Sequence, residues 1–141
     1  MTSRADYLSD RAELGKLEAF TVDFAARSGI SPADLFALQI VVEELVTNVI
    51  HYGGVPPGEP ACSVILTAGA GELVIVIRDR GAAYNPLMRE DPDVTLPADK
   101  RPIGGLGVHF CKKLTDAQDY RRDDGWNVLT LRRKLSAGTA E

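Results

Sequence analysis

Glu44 and Asn48 stand four residues apart in the run EELVTNVIH, and His51 follows three further on. At helical spacing these three side chains share one face. A carboxylate and an amide oxygen one turn apart can accept a proton from a nucleophile and ligate Mg2+. The plainer reading is a solvated helix edge with Glu44 paired locally, and for the pair in isolation it is the stronger one. A second group, Asp79-Arg80-Gly81, closes the most apolar run of the chain. A carboxylate leaving a buried strand can accept a hydrogen bond from an exocyclic amino group, and Gly81 would let a flat ring approach the backbone. Asp-x-Gly is also an ordinary turn. The third group is Gly104-Gly105-Leu106-Gly107, where backbone N–H groups at the positive end of a helix can face an anion. It follows a loop rather than a strand and lacks Gly-Lys-Ser/Thr, so it is neither a dinucleotide fingerprint nor a P-loop.

The elements around these groups follow from pattern. A helix is expected from Asp10 to Ser28-Gly29, with an Asp10/Glu13 capping box and a rough stripe of Leu14, Leu17, Val22 and Phe24. A second starts at Ser31 as N-cap with Pro32 at the first helical position and runs to Tyr52-Gly53-Gly54. Its Leu38, Val41, Leu45 and Val49 form an apolar arc. Glu44, Asn48 and His51 lie at the rim of that arc, while Glu43 points to solvent. After the loop GGVPPGEP come two strands, CSVILTAGA and ELVIVIRDR, joined by a Gly-Ala-Gly turn; the second reads as a central strand covered on both faces. Residues 81–103 carry four prolines and no usable period, the mark of a long functional loop or lid. A helix over VHFCKKLTD and a hairpin turning at Asp124-Gly125 complete the chain. Helices grouped apart from hairpin-linked strands predict an α+β two-layer sandwich rather than a doubly wound sheet.

Bulk properties narrow the partners. The 141 residues suit one domain, with a net charge of −4 that advertises neither nucleic acid nor an anionic membrane surface. The arginine pairs at 121–122 and 132–133 read as solvated strand faces. Cys62 and Cys111 are 49 residues apart with two histidines in the chain, which predicts buried thiols rather than zinc. The first sixteen residues lack the apolar core of a signal peptide, and no run approaches the roughly 18 apolar residues of a membrane span. A cytoplasmic location is expected.

Taken together, the three motifs in this order and at these gaps resemble the histidine-kinase-like (GHKL) ATPase superfamily, and within it the compact anti-sigma-factor serine kinases of the RsbW type. EELVTNVIHYG is similar to that family's N box, DRGAAYNP to its first glycine box, GGLGVHFCKKLTD to its second, and GWNVLTLRRKL to its final strand. The match covers roughly residues 10–135. The resemblance implies a single domain over 1–141 with the Bergerat-type fold: a mixed, mostly antiparallel sheet with helices on one face. It implies ATP and Mg2+ as ligands, with Glu44 as general base and Asn48 on the metal. His51 would stand near the phosphates and Tyr52 would line the nucleotide pocket. Asp79 would read the adenine amino group with Gly81 beside it, and Gly104, Gly105 and Gly107 would contact phosphates. Residues 84–103 would form the ATP lid, with Tyr84-Asn85-Pro86 as its hinge.

As function, the resemblance implies a serine/threonine protein kinase of a partner-switching system. It would phosphorylate an anti-sigma-factor antagonist and, when free, hold a sigma factor or another effector, and the resemblance allows a homodimer. The alternative is an ATP-binding regulatory module with little or no kinase activity. Two positions depart from the family pattern. Glu18 stands where family kinases carry a partner-binding arginine on the first helix. Trp126 follows Gly125 where some members have an adenine-holding threonine, for which Thr130 is a poor substitute.

Overall fold

The computed structural model describes residues 1–88 and 105–136. Its five strands form one sheet in the order β1-β2-β3-β5-β4: β1 (Thr2–Leu8), β2 (Pro60–Gly69), β3 (Glu72–Asp79), β4 (Ala117–Asp123) and β5 (Trp126–Lys134). Every pairing among them is antiparallel. Three helices, α1 (Leu14–Ser28), α2 (Pro32–Tyr52) and α3 (Gly105–Leu114), complete the α+β fold. The core draws on them and on alternate strand residues: Cys62, Val64 and Leu66 of β2, Leu73, Ile75 and Ile77 of β3, Leu129 and Leu131 of β5. A period of two puts all of these on one face of the sheet, so the helices cover that face.

Both hairpins obey local turn chemistry. Ala70 and Gly71 have φ of 53° and 74°, and Asp124 and Gly125 have 48° and 82°. Two consecutive left-handed residues match the twist of an antiparallel pair, so each hairpin turns in two residues. The first helix departs from expectation at its start. Asp10 accepts from Ala12 N at 2.9 Å and opens a 3-10 turn over Arg11–Glu13, while Glu13 pairs with Lys16 instead of reaching back to close a capping box. Leu17 and Phe24 are buried as expected, but Val22 is exposed and stands off the stripe. Gly29, at φ 74°, ends the helix in the left-handed conformation.

Two strands depart from what hydrophobic pattern suggests. The chain begins with a strand, β1, which pairs with β2 from Thr2↔Thr67 to Leu8↔Pro60. β1 contributes little apolar surface apart from Tyr7, so its pairing was invisible to hydrophobic pattern. β3 is central, yet its burial alternates strictly along the strand. The residues Val74 and Val76 that made it look doubly covered lie half-buried on the open face.

Helix α2 packs on α1, on α3 and on the sheet, which is why its buried stripe is broad: Leu38, Val41, Val42, Leu45 and Val46 are all 4% exposed or less. Its first turn is anchored by charge. Asp34, fully buried, accepts from Arg133 Nε at 3.0 Å, Ser136 Oγ at 2.9 Å, Ser136 N at 2.9 Å and Ser31 Oγ at 2.9 Å. Arg133 also donates to Leu114 O at 2.9 Å and so caps the end of α3. The two arginine pairs are therefore not uniformly solvated. Arg132 faces out to Glu72, while Arg133 and Arg122 turn inward.

Burial would raise the Asp34 pKa, but the bonds from Ser136, Arg133 and Ser31 more than offset it and hold the carboxyl below its ordinary 3.8. A lowered folded value means that the unfolded chain takes up the proton first as pH falls. The stabilisation is thus complete well above 3.8 and is lost as pH drops through the lowered value. Asp34→Asn is expected to lower stability at neutral pH by about 2–4 kcal/mol, because it leaves Arg133 unpaired. Denaturant titrations should show this deficit shrinking as the pH is taken below 3.8.

Candidate functional site

The inward residues of β3 run Leu73, Ile75, Ile77 and then Asp79, so the strand that supplies the core ends in a carboxylate only 8% exposed. Here the sheet separates from the C-terminal half of α2 and leaves a cleft. Leu45 and Val49 of α2 face Ile77 and Leu129 of the sheet, giving an apolar slot. Asn48, Asp79, Tyr120 and Asn127 supply polar groups, and Tyr52, Gly53, Tyr84 and Pro86 form the rim.

Asp79 Oδ1 accepts from Gly81 N at 2.8 Å, an Asx turn that bends the chain away from the sheet. Glycine is required at 81 by space: a Cβ there would lie 2.6 Å from Gly53 O and 3.0 Å from Asp79 Oδ1. Gly81 thus lets the exit of β3 close on the end of α2, and the neighbour it meets in the structure is Gly53 backbone.

Directly across the sheet from Asp79 is Asn127. Its Nδ2 donates to Asp79 Oδ1 at 2.9 Å and to Ala82 O at 3.0 Å. Its Oδ1 accepts from the Tyr120 hydroxyl and from Arg122 at 3.1 Å. Arg122 also donates to Gly81 O at 2.8 Å. Asn127 and Tyr120 were not singled out in the sequence, and Arg122 was read there as part of a solvated pair. The Asp124-Gly125 turn does place Arg122 opposite Asn127, but nothing local pairs β5 with β3. The threonine question resolves in space: Thr130 pairs with Val76 in the middle of the sheet, away from the cleft. Trp126 sits on the open face, with Arg78 and Arg80 guanidinium carbons 4.5 and 4.4 Å from its ring centroid.

The other expected residues separate into groups. Asn48 and Tyr52 line the cleft with Asp79, Tyr52 as an exposed ring at its mouth. Asn48 Nδ2 is buried with no hydrogen-bond partner among the described residues, so this amide carries bonding capacity that a ligand would satisfy. Glu44 is half-buried one turn earlier and does not line the slot; it faces α3, where burial and then the Glu44 charge push the Cys111 thiol up to about 12. Glu43 is exposed, as the helix register requires. His51 is also exposed, off the cleft, with its ring edge-on to Tyr52. Gly105 and Gly107 stand in the first turn of α3, while Gly104 and residues 89–103 of the expected lid lie outside the described residues. At the start of that segment Asn85 Oδ1 accepts from Leu87 N at 2.9 Å, and Tyr84 N reaches Asn127 Oδ1 at 3.4 Å. Both cysteines are buried and free.

The cleft suits a flat ring with a donor at its edge: apolar walls, an acceptor-only carboxylate at the closed end, and an unsatisfied amide on the helix wall. Comparison with known proteins points the same way. Residues 8–133 match the family model described as the histidine kinase-like ATPase domain. A serine/threonine-protein kinase, BtrW, of Bordetella bronchiseptica is 31% identical over 96 residues, 68% of either chain. The serine-protein kinase RsbW of Bacillus thuringiensis is 28% identical over 110 residues, 74% of this chain and 68% of its own. Among solved structures, the RsbU and RsbW domains of a Mycobacterium tuberculosis protein superpose with a TM-score of 0.69 at 15% identity, covering 96% of this chain and 32% of that longer one. The SiaB-SiaC complex of Pseudomonas aeruginosa gives 0.61 at 14% identity, covering 95% and 89%. At such identities the structural likeness speaks for the fold.

The close approach at Gly81 is testable by itself. Gly81→Ala is expected to destabilise the protein by about 1–3 kcal/mol, because the added methyl meets backbone that cannot move aside. Gly15→Ala in α1, where a Cβ meets nothing within 4 Å, should stabilise by about 0.5–1 kcal/mol from helix propensity. Thermal unfolding of the two variants should therefore shift in opposite directions.

Proposed function

The chain belongs to the histidine kinase-like ATPase domain family, and on that premise we propose that it is an ATP-dependent serine/threonine protein kinase of a partner-switching system. The observation that carries the nucleotide part is Asp79: a carboxylate at the end of an apolar slot with Oδ1 already bonded twice, so that Oδ2 serves as the acceptor for a ring amino group. The named kinase relatives support the phosphotransfer part.

Mg-ATP, when bound, supplies the phosphoryl group and the cation that neutralises its charge. Among the described residues no group of three or more His, Cys, Asp or Glu side chains is gathered for a metal. Asn48, on the helix wall of the cleft, is the residue whose amide oxygen would hold Mg2+ beside the phosphates. Asp79 and the apolar walls hold the base. Gly105 and Gly107, opening α3, would offer backbone N–H groups to the phosphates. Glu44, one turn from Asn48 and away from the slot, takes the proton from the attacking serine or threonine hydroxyl.

The protein substrate in this reading is an antagonist of an anti-sigma factor, and the free kinase holds a sigma factor or another effector. The open face of the sheet, where Ile65, Val74 and Val76 are half-buried with no helix over them among the described residues, suits a second copy in a homodimer. The alternative, an ATP-binding regulatory module with little or no kinase activity, draws on Glu18. It lies with Glu43 and Gln39 along a groove between α1 and α2, an acidic surface where the family resemblance implies an arginine. Among the described residues no helix is long and apolar enough to cross a membrane.

Glu44→Gln separates the two readings. A general base acts as the proton leaves, so transfer of labelled phosphate to the cognate antagonist should fall by about 10²–10⁴-fold. ATP affinity should stay near wild type, because the amide is isosteric and Glu44 stands off the base slot. Glu43→Gln, on the solvent side, should be nearly silent. If neither substitution changes transfer to a verified antagonist, Glu44 is not the base; if wild type binds ATP and transfers nothing, the regulatory module is the better description.

A further inference from the structure

A carboxylate can discriminate between bases only if it is held in one orientation and stays an acceptor. In this protein the holding is done by an amide, and an amide has two ends of nearly the same shape. Its surroundings decide which end faces Asp79. Arg122 at 3.1 Å and the backbone N–H of Tyr84 at 3.4 Å meet one end of the Asn127 amide, together with the Tyr120 hydroxyl. Guanidinium and backbone N–H groups can only donate, so this end is the oxygen. The opposite end meets an Asp79 carboxylate oxygen at 2.9 Å and the carbonyls of Ala82 at 3.0 Å and Gly81 at 3.5 Å, and the carbonyls can only accept. That end is the NH2. The orientation is fixed from both sides, in a side chain 6% exposed.

We propose that Tyr120 and Arg122 on β4, acting through Asn127, set the cleft's preference for a 6-aminopurine over a 6-oxopurine, with Asn127 as a positioning residue. The proposal rests on the nucleotide reading given above and extends it. With Oδ1 filled by Gly81 N and Asn127 Nδ2, the carboxylate offers Oδ2 to the base. An amino group at the purine 6-position donates there. A 6-oxo group would set oxygen against a fixed anion. If the amide is loosened, the carboxylate can turn, and an oxo group is then rejected less strongly. Asn127 also bonds Ala82 O and Tyr84 N, so the same side chain fixes the rim where the expected lid begins.

The test is calorimetric titration of the full chain with Mg-ATP and Mg-GTP. Wild type should favour ATP. Tyr120→Phe keeps the ring on the cleft wall and removes one hydrogen bond to the amide oxygen; it should weaken ATP about three- to tenfold and GTP less. Asn127→Asp places a second carboxyl at hydrogen-bond distance from Asp79, and two such groups share one proton. Its ATP-to-GTP affinity ratio should therefore recover towards the wild-type value as pH is lowered from about 8 to about 6, whereas a merely structural role would move both nucleotides together. Should Asn127→Asp not fold, Tyr120→Phe decides. Unchanged ATP-to-GTP ratios in the folded variants, or a wild type that binds both nucleotides equally, overturn the relay while leaving nucleotide binding intact. A wild type that binds neither overturns the nucleotide reading and the relay with it.

Discussion

On its inward side β3 is a core strand for three positions, Leu73, Ile75 and Ile77, and then presents Asp79 at the same depth. The packing that removes the three apolar side chains from water removes the carboxylate as well, and an ion in such a place must be given hydrogen bonds. Gly81 N and Asn127 Nδ2 provide them. Each imposes a further condition. Gly81 must lie against Gly53 to make its turn, which fixes where α2 ends relative to the sheet. Asn127 must be oriented by Tyr120 and Arg122, which brings β4 into the site. The cleft is the space left where these conditions meet the apolar wall of α2.

At the opposite end of the same layer, a second buried carboxylate organises the helices. Asp34 gathers Ser31, Arg133 and Ser136, tying the start of α2 to the last strand, while Arg133 also reaches the end of α3. α2 is thereby held at its first turn by charge and along its length by apolar packing. That leaves the register of Asn48 and Glu44 on its free edge with little room to vary.

The features legible in the sequence were those set by nearby residues. The Ser31-Pro32 start of α2, the Gly29 stop of α1, the Asp124-Gly125 turn and the exposure of Glu43 all follow from spacing within a few positions. The order of helices and hairpins gave the two-layer class, and of the motif residues on α2 and β3, Asn48, Tyr52 and Asp79 line one cleft while Glu44 and His51 do not. Features that depend on distant pairing were not legible. β1 is recognisable as a strand only beside β2, since its own pattern is polar with one buried ring, Tyr7. Asn127 acquires its role from Asp79, and Arg122 and Arg133 turn inward because of partners 41 and 99 residues away. Trp126 and Thr130, adjacent to that role in sequence, are excluded by the alternation of a strand.

The long separation between Asp79 and Asn127 also bears on how the protein reaches its native state. The β2–β3 and β4–β5 hairpins, each turning in two residues, and the α1–α2 pair across the short Gly29–Ser31 link are local structures that can form early. The β3–β5 pairing joins residues 48 apart, and closing such a loop carries an entropic penalty that local contacts avoid. The Asp79 carboxylate thus gains its Asn127 partner when the two hairpins dock. Chains with both hairpins formed but not yet joined would have an apolar strand edge and no assembled site. A ligand that needs the Asp79–Asn127 contact then draws its affinity from the docked state, and its binding deepens the global folding equilibrium rather than the stability of either hairpin.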